Sequence, residues 1–326
     1  PTRRSSDLLK YDGYGLGLLY LAEKLRLSGI ERFAVSGAEE LRALRKAGFQ
    51  TEDVLLLSPQ STEAELRAAL RDGGIFSVGS AAYANTLAAL AREAHCAARV
   101  HLAVDTGMGR FGFLPEQYPE LLGLYRSGEL QIEGIYSHFA NACREPESAE
   151  GQLARFQALL DRLRSDGVDR GMAHIANSPG LFLCKGASLD AVRVGSAITG
   201  RVPGVEKGLL RPAGELVTTI CEVRALPKGS RVGYGAEARL RRNSLLAVLS
   251  AGRRQGVPGI SRWDRIRNRL PVAQLNGQRV PLIATRSENH AIADVTELKG
   301  EIRTGMQVRI SVNPLRVDSG VRRLYR

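Results

Sequence analysis

The sequence predicts an α/β fold in which a TIM (β/α)8 barrel is followed by a β-rich C-terminal domain. From residue 8 to about residue 200, short apolar segments alternate with amphipathic segments of helical periodicity, which indicates a parallel sheet with helical crossovers. Eight such units close into a barrel. After Gly200 the helical periodicity ends, and short alternating segments punctuated by glycine and proline predict a second domain of strands.

The first region holds eight apolar segments with the length of buried strands. We expect these strands at Leu8–Tyr11, Arg32–Ser36, Asp53–Leu57, Gly74–Val78, Val100–Asp105, Gln131–Ser137, Met172–Ala176 and Ala191–Gly195. Between them, helical periodicity predicts helices at Ala38–Ala47, Thr62–Arg71, Ala81–Glu93, Gln117–Ser127, Ala149–Asp166 and Ser178–Lys185. In the second region we expect strands at Leu216–Val223, Leu245–Ser250, Arg279–Thr285, Ala291–Val295 and Gln307–Asn313.

We expect three segments along the chain, at residues 1–8, 9–203 and 204–326. Pro203 and Gly204 interrupt the pattern at the boundary between the two domains. Residues 1–8 match the translation of a common sequencing-adapter oligonucleotide, so we expect them to be a non-native lead. The barrel region is shorter than the ~250 residues typical of this fold, and we expect it to be truncated at its N-terminus.

The bulk composition excludes several classes of protein. No run of about 18 apolar residues occurs, so we expect no membrane association. The net charge of +12 comes mostly from scattered arginines with few aromatic residues among them, which favours a solvated surface over nucleic-acid binding. The four cysteines are far apart, which predicts reduced thiols in a cytoplasmic protein, without a disulfide framework or a metal site.

Polar residues follow five of the predicted barrel strands at the point where each strand ends. Active sites of such barrels lie at the carboxyl ends of the strands, so we expect these groups to converge on one face. The groups are Lys10, Asp105 to Arg110, Ser137 with His138, Asn177 with Ser178, and Arg193 to Ser196.

Lys10 ends the first predicted strand, immediately before a glycine-rich turn. A lysine held against an apolar barrel loses its proton more easily than a free one and can form a Schiff base with an aldehyde. The alternative is an ordinary surface lysine before a turn. The convergence of the other strand ends favours the chemical interpretation.

The groups after the last two barrel strands can bind an anion. Ser178, Gly195 and Ser196 offer hydroxyls and backbone amides, and barrels commonly bind phosphate at this place. Ser178 before Pro179 also fits a helix N-cap. Arg193 lies inside an apolar strand end and needs a partner, for which His138 and Asn177 are candidates; a structural ion pair is the alternative.

The loop after the fifth strand reads Asp105-Thr106-Gly107-Met108-Gly109-Arg110 and presents an arginine from a glycine-rich turn. A guanidinium in such a loop suits a carboxylate, which it holds with two parallel hydrogen bonds. His174 lies on an apolar segment and is a candidate donor behind the site.

These motifs together resemble the alanine racemase family of pyridoxal-phosphate enzymes. The resemblance covers nearly the whole chain and is carried by six ordered motifs. They are Lys10-Tyr11-Asp12-Gly13-Tyr14-Gly15, Asp105 to Arg110, Ile135-Tyr136-Ser137-His138-Phe139-Ala140, Ala176-Asn177-Ser178, Arg193-Val194-Gly195 and Val232-Gly233-Tyr234-Gly235.

The resemblance implies racemisation of a small amino acid, with alanine as substrate, by a homodimer whose subunits share each active site. Lys10 would carry pyridoxal 5'-phosphate and act as one base, and Tyr234 of the partner subunit would be the other. Arg193, supported by His138, would bond the pyridine nitrogen. Arg110 would orient the substrate. The remaining cofactor contacts implied are Tyr14, Asn177, Ser178, Gly195 and Ser196.

Two classes of alternative remain open at this point. Proteins that share the barrel include amino-acid decarboxylases and a non-catalytic cofactor-binding protein. They lack this set of motifs, and the cofactor-binding protein lacks a β domain.

The chain departs from the family pattern at the substrate entrance. Ala103 replaces a lysine that is often carbamylated, so Arg110 lacks that anionic support. An active-site tyrosine aligns with Arg253, and the segment around Glu288 also differs, which makes Glu288 a candidate substrate contact. A tyrosine that contacts phosphate near the C-terminus has no clear counterpart. These changes predict serine or a broader range of amino acids beside alanine, or weakened activity.

Overall fold

The computed structural model describes residues 7–206 and 208–325, and the chain divides between Arg211 and Pro212 into two compact units. The first unit contains a seven-stranded parallel sheet whose strands follow one another in chain order, as the strand–helix alternation predicts. Its strands are β1 (Asp7–Leu8), β2 (Arg32–Val35), β3 (Asp53–Leu56), β4 (Ile75–Val78), β5 (Arg99–Ala103), β6 (Gln131–Tyr136) and β7 (Met172–His174).

The predicted eighth strand, Ala191–Gly195, is an irregular segment instead of a regular strand. It nevertheless bonds to both edges of the sheet. Ala191 forms a parallel bridge with His174 at the end of β7, and the Leu8 amide of β1 donates to the carbonyl of Val194 at 2.7 Å. The backbone of residues 191–194 therefore spans the gap between β7 and β1 and closes the curled sheet.

Helices follow the strands and pack their apolar faces against the sheet. Thr62 and Glu65 form a capping box at the start of one helix, and Ser80 caps the next. One helix, Leu18–Leu27, is absent from the sequence prediction. The helices are α1 (Lys10–Tyr14), α2 (Leu18–Leu27), α3 (Ala38–Lys46), α4 (Glu63–Arg71), α5 (Ala81–Glu93), α6 (Tyr118–Ser127), α7 (Pro146–Ser165) and α8 (Ser178–Leu183).

The prediction of a strand over Leu8–Tyr11 is wrong beyond Leu8. Tyr11, Asp12, Gly13 and Tyr14 have φ values of 55°, 52°, 60° and 55°, so α1 is a left-handed turn. This conformation costs roughly 1–2 kcal/mol for each residue other than glycine. The Asp12 carboxylate offsets part of that cost by accepting from the Leu18 amide at 2.8 Å.

The left-handed turn has a consequence for the barrel interior. It brings the side chain of Tyr14 into a buried apolar cluster with Leu8, Ala34, Leu55 and Ile75 from the first strands. Of the segment expected to be a non-native lead, residues 1–6 lie outside the described residues, while Asp7 and Leu8 form β1.

The second unit is a closed antiparallel barrel of six strands, which confirms the predicted β-rich domain. A short hairpin of β9 and β10 and the helix α9 (Arg262–Ile266) accompany it. The sequence prediction missed β12, a four-residue strand between Pro271 and a tight turn. The strands are β8 (Glu215–Leu226), β9 (Arg231–Val232), β10 (Ala238–Arg239), β11 (Ser244–Leu249), β12 (Val272–Leu275), β13 (Gln278–Ala284), β14 (Ala291–Asp294) and β15 (Gln307–Ser311).

Among the described residues, no helix combines the length and the apolarity that a membrane-spanning segment requires.

Candidate active site

The carboxyl end of the parallel sheet collects the polar side chains that the sequence places after the strands. Lys10 follows β1, Arg110 follows β5, His138 follows β6, and Arg193 lies on the segment that closes the sheet. The positive charges of Arg193, Arg110 and Lys10 all contribute to lowering the pKa of His138, which is in keeping with four groups that lie near one another.

Lys10 is half-buried, and its pKa lies below the usual value for a lysine. Burial is the largest cause, and the positive charges of Arg110 and Arg193 add to it, while Glu40 opposes them. A lysine in this setting has a larger fraction of neutral amine at neutral pH than a free one. Lys10 is therefore suited to attack a carbonyl carbon and to exchange a proton.

Arg193 is a fully buried cation whose partners are all neutral. Its Nη2 donates to the carbonyl of Ser137 at 2.6 Å and to Nδ1 of His138 at 3.1 Å, and its Nη1 donates to Nδ1 of His174. Its Cζ lies 4.7 Å from the ring centroid of Tyr136. No ion pair joins Arg193 to a carboxylate within the described ranges, and burial lowers its pKa to about 10. The uncompensated charge favours a ligand acceptor that carries no proton.

His138 is held by Arg193. Its Nδ1 accepts from Arg193, so a neutral ring carries its proton on Nε2. Nδ2 of Asn177 lies 3.4 Å from Nε2 without a hydrogen bond, because both groups donate, and it donates instead to the carbonyl of Phe139. Burial, followed by the charges of Arg193, Arg110 and Lys10, lowers the pKa of His138 to about 3. The imidazole is therefore a neutral acceptor that holds the guanidinium.

Asn177, and not Ser178, caps the helix α8, because its Oδ1 accepts from the Gly180 amide at 3.0 Å. This leaves Ser178 for another task. Its Oγ accepts from the amides of Gly195 and Ala197, at 2.9 and 3.2 Å. The hydroxyl joins the loop after β7 to the loop after the closing segment, and its own hydrogen stays available for a ligand.

Gly195 makes space for the hydroxyl of Tyr14. A Cβ at residue 195 would lie 2.0 Å from Oη of Tyr14, so only glycine fits. Ser196 follows in the same turn, where its carbonyl accepts from the Arg201 amide and from the Thr199 hydroxyl. Tyr14, Ser178, Gly195 and Ser196 thus line one small polar surface, as the sequence predicts for an anion site.

The loop that carries Arg110 is organised by Asp105. Burial raises the pKa of this carboxyl group, but hydrogen bonds from four backbone amides of the loop outweigh it, and the pKa falls below its usual value. Two of these bonds, from Gly107 and Met108, are 2.8 Å long. Asp105 is a scaffold for the loop, and the guanidinium of Arg110 stays exposed, 4.7 Å from the ring of Phe111.

Gln152 ties two of these loops together and was not found by sequence reasoning. Its Nε2 donates to Oγ1 of Thr106 in the loop after β5, at 3.4 Å, and to the carbonyl of His138 in the loop after β6, at 2.9 Å. Its Oε1 accepts from the Ala140 amide at 2.9 Å. It is buried on α7 between the apolar residues Ala149 and Phe156. A glutamine on an apolar helix face is the signal that could have revealed it.

Ala103 ends β5 with only 2% of its surface exposed, beside Tyr136 of β6. The structure therefore places an apolar methyl group at this position.

Tyr234 belongs to the second unit, in the turn between β9 and β10, with 71% of its surface exposed. The turn is fixed to the segment after β13. A Cβ at Gly233 would meet the Cβ of Ala284 at 2.6 Å, and the Glu237 carboxylate accepts from the amides of Thr285 and Arg286 at 2.9 to 3.2 Å.

Glu288 and Arg253 lie at the same segment after β13 that holds the Tyr234 turn. The amides of Arg253 and Arg254 donate to the carbonyls of Ser287 and Glu288, and Nε of Arg253 lies 3.7 Å from Oε1 of Glu288. Both side chains are more than half exposed. One end of the second unit thus presents a phenol and an ion pair to a ligand or a partner.

Each of the two units matches a model of a known protein family. Residues 7–203 match the family model described as "Alanine racemase, N-terminal domain", and residues 213–319 match "Alanine racemase, C-terminal domain". An alanine racemase of Desulforamulus reducens is 33% identical over 79% of this chain and 71% of its own length.

Two solved structures show the likeness in three dimensions. An alanine racemase from D-cycloserine-producing Streptomyces lavendulae superposes with a TM-score of 0.80 at 29% identity, over 94% of this chain and 81% of that one. An alanine racemase from Bartonella henselae with covalently bound pyridoxal phosphate superposes with a TM-score of 0.78 at 26% identity, over 94% and 83% of the two chains.

Proposed function

Because the chain belongs to the alanine racemase family, we propose that it interconverts L-alanine and D-alanine with pyridoxal 5'-phosphate as cofactor. One observation carries the proposal above the others. A half-buried lysine with a lowered pKa and a fully buried arginine with only neutral partners share the carboxyl end of the barrel.

The side chains present fit pyridoxal phosphate group by group. The Lys10 amine suits the aldehyde. Arg193, whose partners are all neutral, suits an unprotonated pyridine nitrogen. The polar surface of Tyr14, Ser178, Gly195 and Ser196 suits the phosphate, and the absence of a Cβ at Gly195 lets the Tyr14 hydroxyl join that surface. When bound, the cofactor supplies an electron sink that acidifies the Cα–H bond of the amino acid.

Racemisation requires a proton to leave Cα on one face and another to return on the opposite face. Lys10 is suited to work on one face, because its lowered pKa lets the amine accept and release a proton near neutral pH. Tyr234 of the partner subunit is the base that we assign to the other face. Its exposure and its rigidly held turn suit a residue that completes a neighbouring subunit's site.

The remaining residues position the reactants. Arg110, presented by a loop that Asp105 makes rigid, holds the substrate carboxylate or the cofactor oxygen next to it. His138 keeps Arg193 in place, and Asn177 ties the start of α8 to the loop that carries His138. This assignment implies a homodimer with two shared sites and a small amino acid as substrate.

Two variants separate the racemase from a non-catalytic cofactor carrier. The purified protein with pyridoxal phosphate should convert L-alanine to an equal mixture of L-alanine and D-alanine, measured by chiral chromatography. Tyr234→Phe should abolish conversion and keep the visible absorbance band of lysine-bound cofactor, whereas Lys10→Ala should lose that band. A protein that binds the cofactor through Lys10 and converts no amino acid would overturn the proposal.

A broader substrate range is the second candidate, and the Arg253–Glu288 pair favours it. The two charged groups lie at the same segment after β13 that holds the Tyr234 turn, where a site for alanine alone would be expected to be apolar. Turnover of alanine, serine, glutamate and lysine should be compared by chiral chromatography. We expect serine to be turned over beside alanine, and turnover of alanine alone would contradict the broader range.

A further inference from the structure

Two buried histidines lie behind Arg193, inside the barrel. His174 at the end of β7 has no exposed surface, and His101 on β5 has 6% exposed. Nε2 of His174 lies 2.8 Å from Nδ1 of His101, and Nδ1 of His174 accepts from Arg193. The three side chains form one continuous hydrogen-bonded row from the candidate site into the barrel interior.

The chemistry of the row leaves one arrangement of protons. Arginine only donates, so Nδ1 of His174 must be unprotonated. A neutral His174 then carries its proton on Nε2 and donates it to Nδ1 of His101. His101 must in turn be protonated on Nε2. A single tautomer of each ring satisfies every bond in the row.

The fold reserves space for the ring of His101. The pairing of β5 with β6 shifts by one residue between Val100 and His101, which sets His101 opposite Gly134. A Cβ at Gly134 would lie 2.8 Å from Cε1 and 2.9 Å from Nδ1 of that ring. Any larger residue at 134 would displace the imidazole, so the bulge and the glycine together hold Nδ1 toward His174.

The far side of His101 faces a cavity of about 90 Å³ at the amino end of the barrel, lined also by Asp53, Glu133 and Met172. A space of this size and polarity accommodates water molecules. The Nε2 proton of His101 can therefore be donated to a polar group or a water molecule in the cavity. The tautomer with the proton on Nε2 thus avoids the free-energy cost of an unpaired buried donor.

We propose that His101 is a positioning residue, which anchors the ring of His174 through its Nε2 proton and thereby holds the orientation of Arg193 toward the cofactor. This inference rests on the role of Arg193 in the proposed function. Burial lowers the pKa of His101 to about 3 and that of His174 well below its usual value, so both rings stay neutral across the working pH range. Without an acceptor at residue 101, the Nε2 proton of His174 has no partner, so the ring is free to turn and to withdraw Nδ1 from Arg193.

The test begins with the unmutated holoenzyme. The chain has only 5 histidines, so ¹⁵N-histidine labelling yields a small set of ring signals. We expect His174 to show a protonated Nε2 and an unprotonated Nδ1. A protonated Nδ1 would overturn the proposal at once, whether or not the protein racemises alanine.

Two substitutions at His101 then test the positioning role. His101→Leu removes the acceptor, and we expect the ring ¹⁵N signals of His174 to shift and kcat to fall about 10- to 100-fold with little change in KM. His101→Asn offers an acceptor oxygen to Nε2 of His174 and should restore most of kcat and the native His174 signals. Equal effects of the two variants would contradict the proposal.

Met172→Leu is the matched control, because it changes packing at the same cavity without touching the row. It should leave the His174 signals and kcat unchanged, and a loss equal to that of His101→Leu would assign the effect to packing. The failure of the positioning role of His101 can be distinguished from the failure of the proposed racemase function. A native tautomer pattern in a protein without racemase activity would refute the proposed function alone.

Discussion

The phenolic oxygen of Tyr14 lies directly against the Cα of Gly195, so that a Cβ at residue 195 would come within 2.0 Å of it. The two residues are far apart in the chain and meet because a left-handed turn carries Tyr14 into the barrel. Gly195 does not adopt a positive φ, so the position demands glycine for space and not for backbone freedom.

Gly195→Ala should weaken cofactor binding by at least ~10-fold and lower the free energy of unfolding by about 1–3 kcal/mol, because the methyl group must displace Tyr14. Cofactor titration by absorbance and urea unfolding measure the two effects. Gly123→Ala is the control, since a Cβ there meets nothing within 4 Å. Native cofactor affinity in Gly195→Ala would show that this contact does not shape the phosphate site.

Arg193→Lys should slow racemisation by at least ~10-fold although it keeps the positive charge. A single ammonium on a flexible stem cannot satisfy the acceptors on Ser137, His138 and His174 together. Chiral chromatography of alanine measures the loss. Arg99→Lys is the control, because Arg99 forms a two-bond pair with Glu133, at 2.6 and 2.9 Å, near the amino end of the barrel. Equal losses of racemisation rate in both variants would show that the effect comes from reduced stability and not from the position of Arg193.

Three histidines, His101, His138 and His174, should make the protein sensitive to acid. Their folded pKa values lie far below 6.5, so below about pH 6.5 the unfolded chain binds protons that the folded chain does not. The free energy of unfolding should therefore fall as pH drops, by up to about 4 kcal/mol per pH unit for the three rings. Urea unfolding between pH 7 and 5 measures the slope. His101→Asn should reduce the slope by the contribution of one histidine, because one proton fewer is bound on unfolding. A free energy of unfolding that does not change between pH 7 and 5 would contradict the assignment of neutral rings.

Gln152→Leu should loosen the loops after β5 and β6, because it removes the bonds to the Thr106 hydroxyl, the His138 carbonyl and the Ala140 amide. We expect a loss of about 1–3 kcal/mol in the free energy of unfolding, since buried polar groups are left without partners. Thermal or urea unfolding measures the loss. The exposed Gln131→Leu is the control and should change stability by less than about 0.5 kcal/mol. Equal stabilities of both variants would show that Gln152 does not hold the loops.

The sequence predicts the parallel sheet well because alternation of apolar strands and amphipathic helices is a local property of the chain. Strands such as Arg32–Val35 and Asp53–Leu56 match the prediction to within a residue. The first strand does not, because the left-handed turn at Tyr11 depends on the Asp12 hydrogen bond and on packing. Periodicity carries no information about either.

The sequence likewise predicts some residues of the candidate site and misses others. Residues that stand at strand ends, such as Lys10 and Arg193, follow from the fold class. Gln152 does not, because its role depends on loops that meet only in three dimensions. The tautomer row of His101 and His174 is likewise invisible in the sequence, where both residues lie on ordinary apolar strands.

The most direct test of the account is complementation between two inactive variants. Lys10→Ala and Tyr234→Phe should each abolish alanine racemisation. After mixing in equal amounts and reassociation, about a quarter of the native activity should return, because half of the dimers are mixed and each mixed dimer has one intact shared site. No recovery, with mixed dimers demonstrated in the sample, would contradict a site built from Lys10 and the partner subunit's Tyr234.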